Sequence, residues 1–200
     1  AMANIVSPFE DPEHRLAAGR FGMLIFIASL AMIFAGAILG FLVVRLEDEG
    51  TWPPPGMPSL PWSLLFSTVV LVASSVTFLR ATGALRRDDG PGLVRWLSVT
   101  LMLALVFLTV QTFAWWDLVG RGMDFSRHLY AWTFYFLTGL HAVHVLGGVI
   151  PLWIVTRRVR RGDRSESVRR GVAYTAMYWH FLDVAWVVLY LTLIAGTLGG

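Results

Sequence analysis

Two short stretches of this chain carry side chains able to do chemistry. Tyr178-Trp179-His180-Phe181-Leu182-Asp183-Val184-Ala185-Trp186 sets an imidazole and a carboxylate three residues apart, and Thr138-Gly139-Leu140-His141-Ala142-Val143-His144 sets two imidazoles at the same spacing. On a helix, positions i and i+3 share a face, so each stretch presents a pair of titratable groups to one neighbour. Three kinds of chemistry fit such pairs. Imidazoles converging on one ion form a metal or haem site, with His141 and His180 able in principle to bracket a b-type haem. The same groups could pass protons along a hydrogen-bonded relay. Or they could form a polar clamp between helices, in which Asp183 or a backbone carbonyl fixes the tautomer of a neutral histidine.

The elements that must position these groups are membrane-spanning helices. Residues are 56% hydrophobic and 14% charged, against the roughly 25% charged content of a soluble domain. Runs without Asp, Glu, Lys or Arg extend from Phe21 to Val44, Trp62 to Leu79, Trp96 to Trp116 and Leu129 to Thr156, and a fifth from Val172 to Gly200 is broken only by Asp183. Each approaches or exceeds the ~20 residues needed to cross a ~30 Å hydrocarbon core. The expectation is one all-α transmembrane domain over residues 1–200, with helices near 20–45, 61–80, 94–117, 128–156 and 171–198. The first run is too long for the apolar region of a signal peptide, and no small-residue cleavage site follows it. An ionisable group near the bilayer centre costs at least ~2.5 kcal/mol, so His141, His144, His180 and Asp183 should face protein rather than lipid.

Every one of the sixteen basic Lys+Arg positions is arginine. Thirteen fall before the first run, between the second and third, or between the fourth and fifth, leaving only Arg45, Arg121 and Arg127 for the other side. The positive-inside rule then places the N-terminus in the cytoplasm and the C-terminus in the periplasm of a bacterial inner membrane. The Arg157–Arg170 cluster reads as a solvated cytoplasmic loop, compatible with anionic headgroups, and not as a nucleic-acid patch. The absence of cysteine excludes thiolate metal sites, c-type haem attachment and disulfides. No phosphate loop, nucleophile elbow or HExxH motif is present.

Other polar and small residues in the spans have structural readings. Gly36 and Gly40 form a GxxxG expected to pack within the bundle, and Gly139, Gly147 and Gly148 should let a helix approach the histidine pair. Gln111 is expected to hydrogen-bond a neighbouring helix. Ser74, Ser75 and Thr77 can be satisfied on their own helix. The acidic and then proline-rich stretch from Glu47 to Gly56 reads as a stiff connector.

The His141/His144 stretch, followed ~35 residues later by the His180/Asp183 stretch, closely resembles the last two helices of subunit III of the haem–copper cytochrome c oxidases. Trp52-Pro53-Pro54, Gln111-Thr112-Phe113 and Phe34-Ala35-Gly36 extend the resemblance over nearly the whole chain. It implies the last five helices of the seven-helix form, or the short five-helix bacterial form. It further implies a non-catalytic accessory subunit with no haem or copper of its own; those belong to partner subunits. Such a subunit packs on catalytic subunit I and the other oxidase subunits, holds phospholipid in a cleft, and supports turnover and proton uptake in aerobic electron transport. His141, His144, His180, Asp183, Gln111 and Trp179 would then be clamp or lipid-cleft residues, with no catalytic, cofactor or metal role. Two buried carboxylates usual in the family are replaced, by Leu30 after Ser29 and by Ala114. These departures leave open a different haem–copper partner, such as a nitric oxide reductase. The reading from another class is an autonomous membrane haem or metal enzyme using His141, His144 and His180.

Overall fold

The computed structural model describes residues 12–47, 54, 55, 58, 60–124 and 128–198, with side chains described from residue 17 to residue 197. Trp52, Pro53, Arg127 and the side chain of His14 lie outside the described residues, as does most of the 47–56 connector. Among these residues there are five helices: α1 (Pro12–Glu47), α2 (Ser63–Arg86), α3 (Gly90–Gly120), α4 (Leu129–Arg160) and α5 (Glu166–Leu198). All five are long and apolar enough to cross a membrane. The helices run further than the uncharged stretches, most visibly where α2 continues to Arg86 and α4 to Arg160. An arginine ends an apolar run without ending a helix, because its stem stays on the helix surface while the guanidinium reaches water.

What ends the helices is backbone geometry. α2, α3 and α4 each close with a left-handed residue, Asp88 (φ 53), Gly122 (φ 87) and Gly162 (φ 82). Beyond each, the next amide turns back to a carbonyl of the last turn: Asp89 to Ala84, Met123 to Leu118 and Asp163 to Arg158. This is the Schellman closure, in which glycine or a short polar residue tolerates φ > 0. Asp89 then caps α3, its carboxylate accepting from the Gly92 amide at 2.9 Å, with Pro91 in the first turn where no amide partner is needed.

α2 to α5 form a closed ring of four antiparallel helices in chain order, with α5 returning beside α2. Side-chain bonds mark each seam. Thr77 and Thr100 hydroxyls meet at 2.8 Å between α2 and α3, and the Trp115 indole donates to Thr138 at 3.2 Å between α3 and α4. Tyr178 donates to the His144 carbonyl at 3.0 Å between α5 and α4. The interior is filled by Phe78, Phe107, Phe134, Trp179 and Trp186, all essentially inaccessible.

α1 stands outside this ring, parallel to α5 and in contact only with α5 and α4. A Cβ at Gly19 would overlap the Tyr174 hydroxyl near one end, and one at Gly196 would lie 2.8 Å from Phe41 near the other. Arg45 donates to the Gly196 carbonyl at 3.0 Å. The GxxxG expectation is corrected here: a Cβ at Gly36 or Gly40 would meet no atom within 4 Å, and both glycines are exposed. That face of α1 lines an open groove toward α4 and packs on no helix among the described residues. α1 makes its close approaches at Gly19 and Gly196, and the one expected near the histidine pair does occur at Gly148 of α4, where a Cβ would sit 2.9 Å from Tyr178 and 3.2 Å from Trp179 of α5.

The arginine-rich turns gather at one end of the bundle. Arg169 at the start of α5 pairs with Asp88 of the α2–α3 turn at 2.7 Å, and Arg160 donates to Ser98 of α3 at 3.0 Å.

Candidate functional site

The chemistry-bearing residues occupy the ring interior and the α2–α5 seam, because α5 is wedged among α1, α2 and α4. His180 sits midway along α5, and its partner lies on α2: Ser75 Oγ is 2.7 Å from His180 Nδ1. One residue back, Trp179 donates from its indole to Ser74 Oγ at 3.0 Å, and two turns on, Trp186 donates to Thr68 at 2.9 Å. The expected clamp between the fourth and fifth helices is therefore corrected. His180 binds α2, and no hydrogen bond joins it to His141 or His144 among the described residues. Ser75, set aside in the sequence as satisfied on its own helix, is the partner; Ser74 and Thr77 do bond their own helix, to Leu71 and Ser74 carbonyls.

Asp183 follows His180 on the same face, with Oδ2 at 3.9 Å from Nδ1, beyond hydrogen-bonding reach. It is 5% exposed, and neither carboxylate oxygen has a hydrogen-bond partner among the described residues. Asp183 is the one carboxylate buried among the described residues.

His141 is 0% exposed, and neither ring nitrogen is hydrogen-bonded among the described residues. Aromatic rings surround it: Trp186 at 4.9 Å, Phe107 edge-on at 5.9 Å and Phe34 of α1 at 6.1 Å. His144 turns away toward α1, its Nδ1 2.7 Å from the Leu140 carbonyl and its ring 5.1 Å from Phe34. Phe34 thus touches both histidines, a role that Phe34-Ala35-Gly36 did not suggest beyond its place in the resemblance. Gln111 is 2% exposed with both amide atoms unbonded, so the expected bond to a neighbouring helix is not made.

These positions decide what the arrangement can do. No three His, Asp or Glu side chains come together in a metal-holding group among the described residues. The α2–α5 seam is a set of hydrogen bonds spent on helix packing. His141, Gln111 and Asp183 make no hydrogen bond among the described residues and so do not tie the helices together as the α2–α5 bonds do. The two family carboxylate positions are both interior: Leu30 is 6% exposed in the core of α1, and Ala114 is buried on α3.

Fold and site together define a multi-pass, all-helical membrane protein whose second and fifth helices are joined by a row of side-chain hydrogen bonds. The family model for cytochrome c oxidase subunit III matches residues 13–196, and the chain belongs to that family. It is similar to the cytochrome c oxidase subunit 3 of Synechocystis sp., 33% identical over 173 residues covering 86% of this chain and 72% of the relative. The probable cytochrome c oxidase subunit 3 of Nocardia farcinica is 33% identical over 173 residues, covering 86% and 85%. The subunit 3 of Corynebacterium diphtheriae is 31% identical over 175 residues, again covering 86% and 85%. Neither the fold nor these relatives favour a nitric oxide reductase partner or an autonomous haem enzyme.

Proposed function

We propose that this chain serves as subunit III of a respiratory haem–copper terminal oxidase in a bacterial inner membrane, as a single transmembrane domain without a redox centre of its own. The observation that carries the reading is the family match across residues 13–196, which spans all five helices. Haem and copper reside in the partner subunits, and this chain packs on subunit I to hold it in a form that sustains turnover. The N-terminus and the arginine-rich turns face the cytoplasm, in keeping with the positive-inside rule.

The α1–α4 groove supports the lipid-holding part of the reading. One stretch of about 400 Å³ is walled by Gly36, Gly40, Trp132 and Phe136, and another of about 480 Å³ by Phe26, Pro151, Tyr178 and Arg158. Each has the size of a ligand site and apolar walls suited to acyl chains.

Affinity purification of the tagged chain from native membranes in mild detergent tests the proposal. The expected result is stoichiometric recovery of a haem-containing catalytic subunit, while the chain expressed alone is colourless. Recovery without any haem–copper subunit, or a haem spectrum from the single chain, overturns it.

A further inference from the structure

On the opposite side of α1 from that groove, a cleft of about 510 Å³ opens between α2 and α5. Its mouth is basic: Arg20 of α1, Arg86 of α2, and Arg169 and Arg170 of α5 all line it. Arg169 is paired with Asp88, whereas Arg20, Arg86 and Arg170 have no acidic partner among the described residues. From this mouth the cleft descends along α5 past Met177 to His180, which lines its inner end and is held there by Ser75. Ten residues of helix separate Arg170 from His180, about 15 Å of rise, or half of a ~30 Å hydrocarbon core.

We propose that this cleft holds an anionic phospholipid, with its phosphate on the Arg86 and Arg170 guanidiniums and an acyl chain along the α5 wall. Three cations at the rim without an acidic partner among the described residues suit an anion, and basic pockets between spanning helices at the cytoplasmic face suit acidic headgroups. The apolar shaft one leaflet deep argues for a lipid over a soluble phosphate, which would use only the mouth. It also argues against an extended acidic segment of a partner subunit, whose unpaired backbone would be stranded in the shaft. The proposal rests on the lipid-holding reading above but names a separate site and a headgroup charge.

The test uses the purified holo-complex in phosphatidylcholine nanodiscs doped with photoactivatable phosphatidylglycerol, with crosslinked peptides read by mass spectrometry. Crosslinks are expected on the α5 peptide containing Met177, competed by unlabelled phosphatidylglycerol and not by phosphatidylcholine or glycerol phosphate. At about fivefold per guanidinium, Arg86→Gln with Arg170→Gln should lower occupancy about twenty-five-fold at low salt. Arg86→Lys with Arg170→Lys should restore most of it, and Arg161→Gln, outside the cleft, should leave it unchanged. Equal loss in Arg161→Gln, equal competition by glycerol phosphate, or crosslinking indifferent to the paired Gln variant overturns the proposal. Loss of the catalytic subunit from the paired Gln variant with lipid crosslinking intact assigns the arginines to a protein interface and overturns it too. Co-purifying haem is scored separately, so failure of the subunit III reading is distinguishable from failure of the cleft.

Discussion

Ser75 on α2 and His180 on α5 meet at 2.7 Å, which makes the ring closure between the second and fifth helices, and not the adjacent α4–α5 pair, the place where the conspicuous histidine acts. The neighbouring bonds Trp179 to Ser74 and Trp186 to Thr68 fall on the same seam. A double-mutant cycle on Ser75→Ala and His180→Ala should give a coupling energy near ~0.6 kcal/mol and no more than ~1.7. Thermal melting of the holo-complex measures it. Both variants should leave its haem spectrum unaltered, and a lost haem signal would return the histidine to a ligand role.

The glycines separate packing within the chain from surface open to others. Gly148→Ala drives a Cβ into the Tyr178 and Trp179 rings, and Trp179 is fully buried, so the change should cost about 1–3 kcal/mol. Gly36→Ala and Gly40→Ala meet nothing and should stay within about 0.5 kcal/mol of the parent chain. Detergent unfolding of the isolated chain decides both; a large loss from Gly36→Ala would mean that α1 packs differently.

Hydrophobic carbodiimides report buried carboxyl groups. With Leu30 and Ala114 at the two family positions, α1 should remain unlabelled and Asp183 should be the one membrane-depth target among the described residues. Leu30→Glu should create a labelled site at a cost of about 2.5–3.5 kcal/mol, since position 30 is interior. Peptide mapping after labelling checks this, and labelling of unaltered α1 would contradict the placement of the helix.

The α4–α5 turn carries a carboxylate whose titration is displaced. Hydrogen bonds from the Ser165 hydroxyl and amide, then from Arg158, hold Asp163 down from its ordinary 3.8 to about 2. The amide bond is 3.0 Å and the Arg158 ion pair 2.8 Å. Because the folded-state value is depressed, this contribution is fully present above the unfolded value and fades as pH falls from about 4 through about 2. Protection of the Ser165 amide against hydrogen exchange should therefore persist at pH 4 and collapse toward pH 2, whereas Asp163→Asn should show a flat profile. A midpoint near 4 in the parent chain would mean that these bonds do not form.

Much of this protein could be read from its residues alone. Five spans follow from apolar runs measured against the thickness of a bilayer, a constraint strong enough to override local propensity. The His141/His144 and His180/Asp183 stretches carry the family, and the one-sided arginines carry the orientation that we propose. Which residue each polar group meets was decided only in three dimensions. A membrane helix is apolar around its whole circumference, so periodicity does not mark an inward face as it does on an amphipathic surface helix. The spacing of His180 and Asp183 showed that they share a face, but not that the face turns to Ser75 on α2. Likewise Gly36 and Gly40 announce a close approach that α1 makes instead at Gly19 and Gly196. The burial of His141 among Phe34, Phe107 and Trp186, and the meeting of Arg20, Arg86 and Arg170 at one cleft, join residues up to 152 positions apart through the ring of α2 to α5 and the helix laid against it. Those contacts are set by how rotation and register fill the interior, and one strand of sequence carries no record of either until the helices are packed.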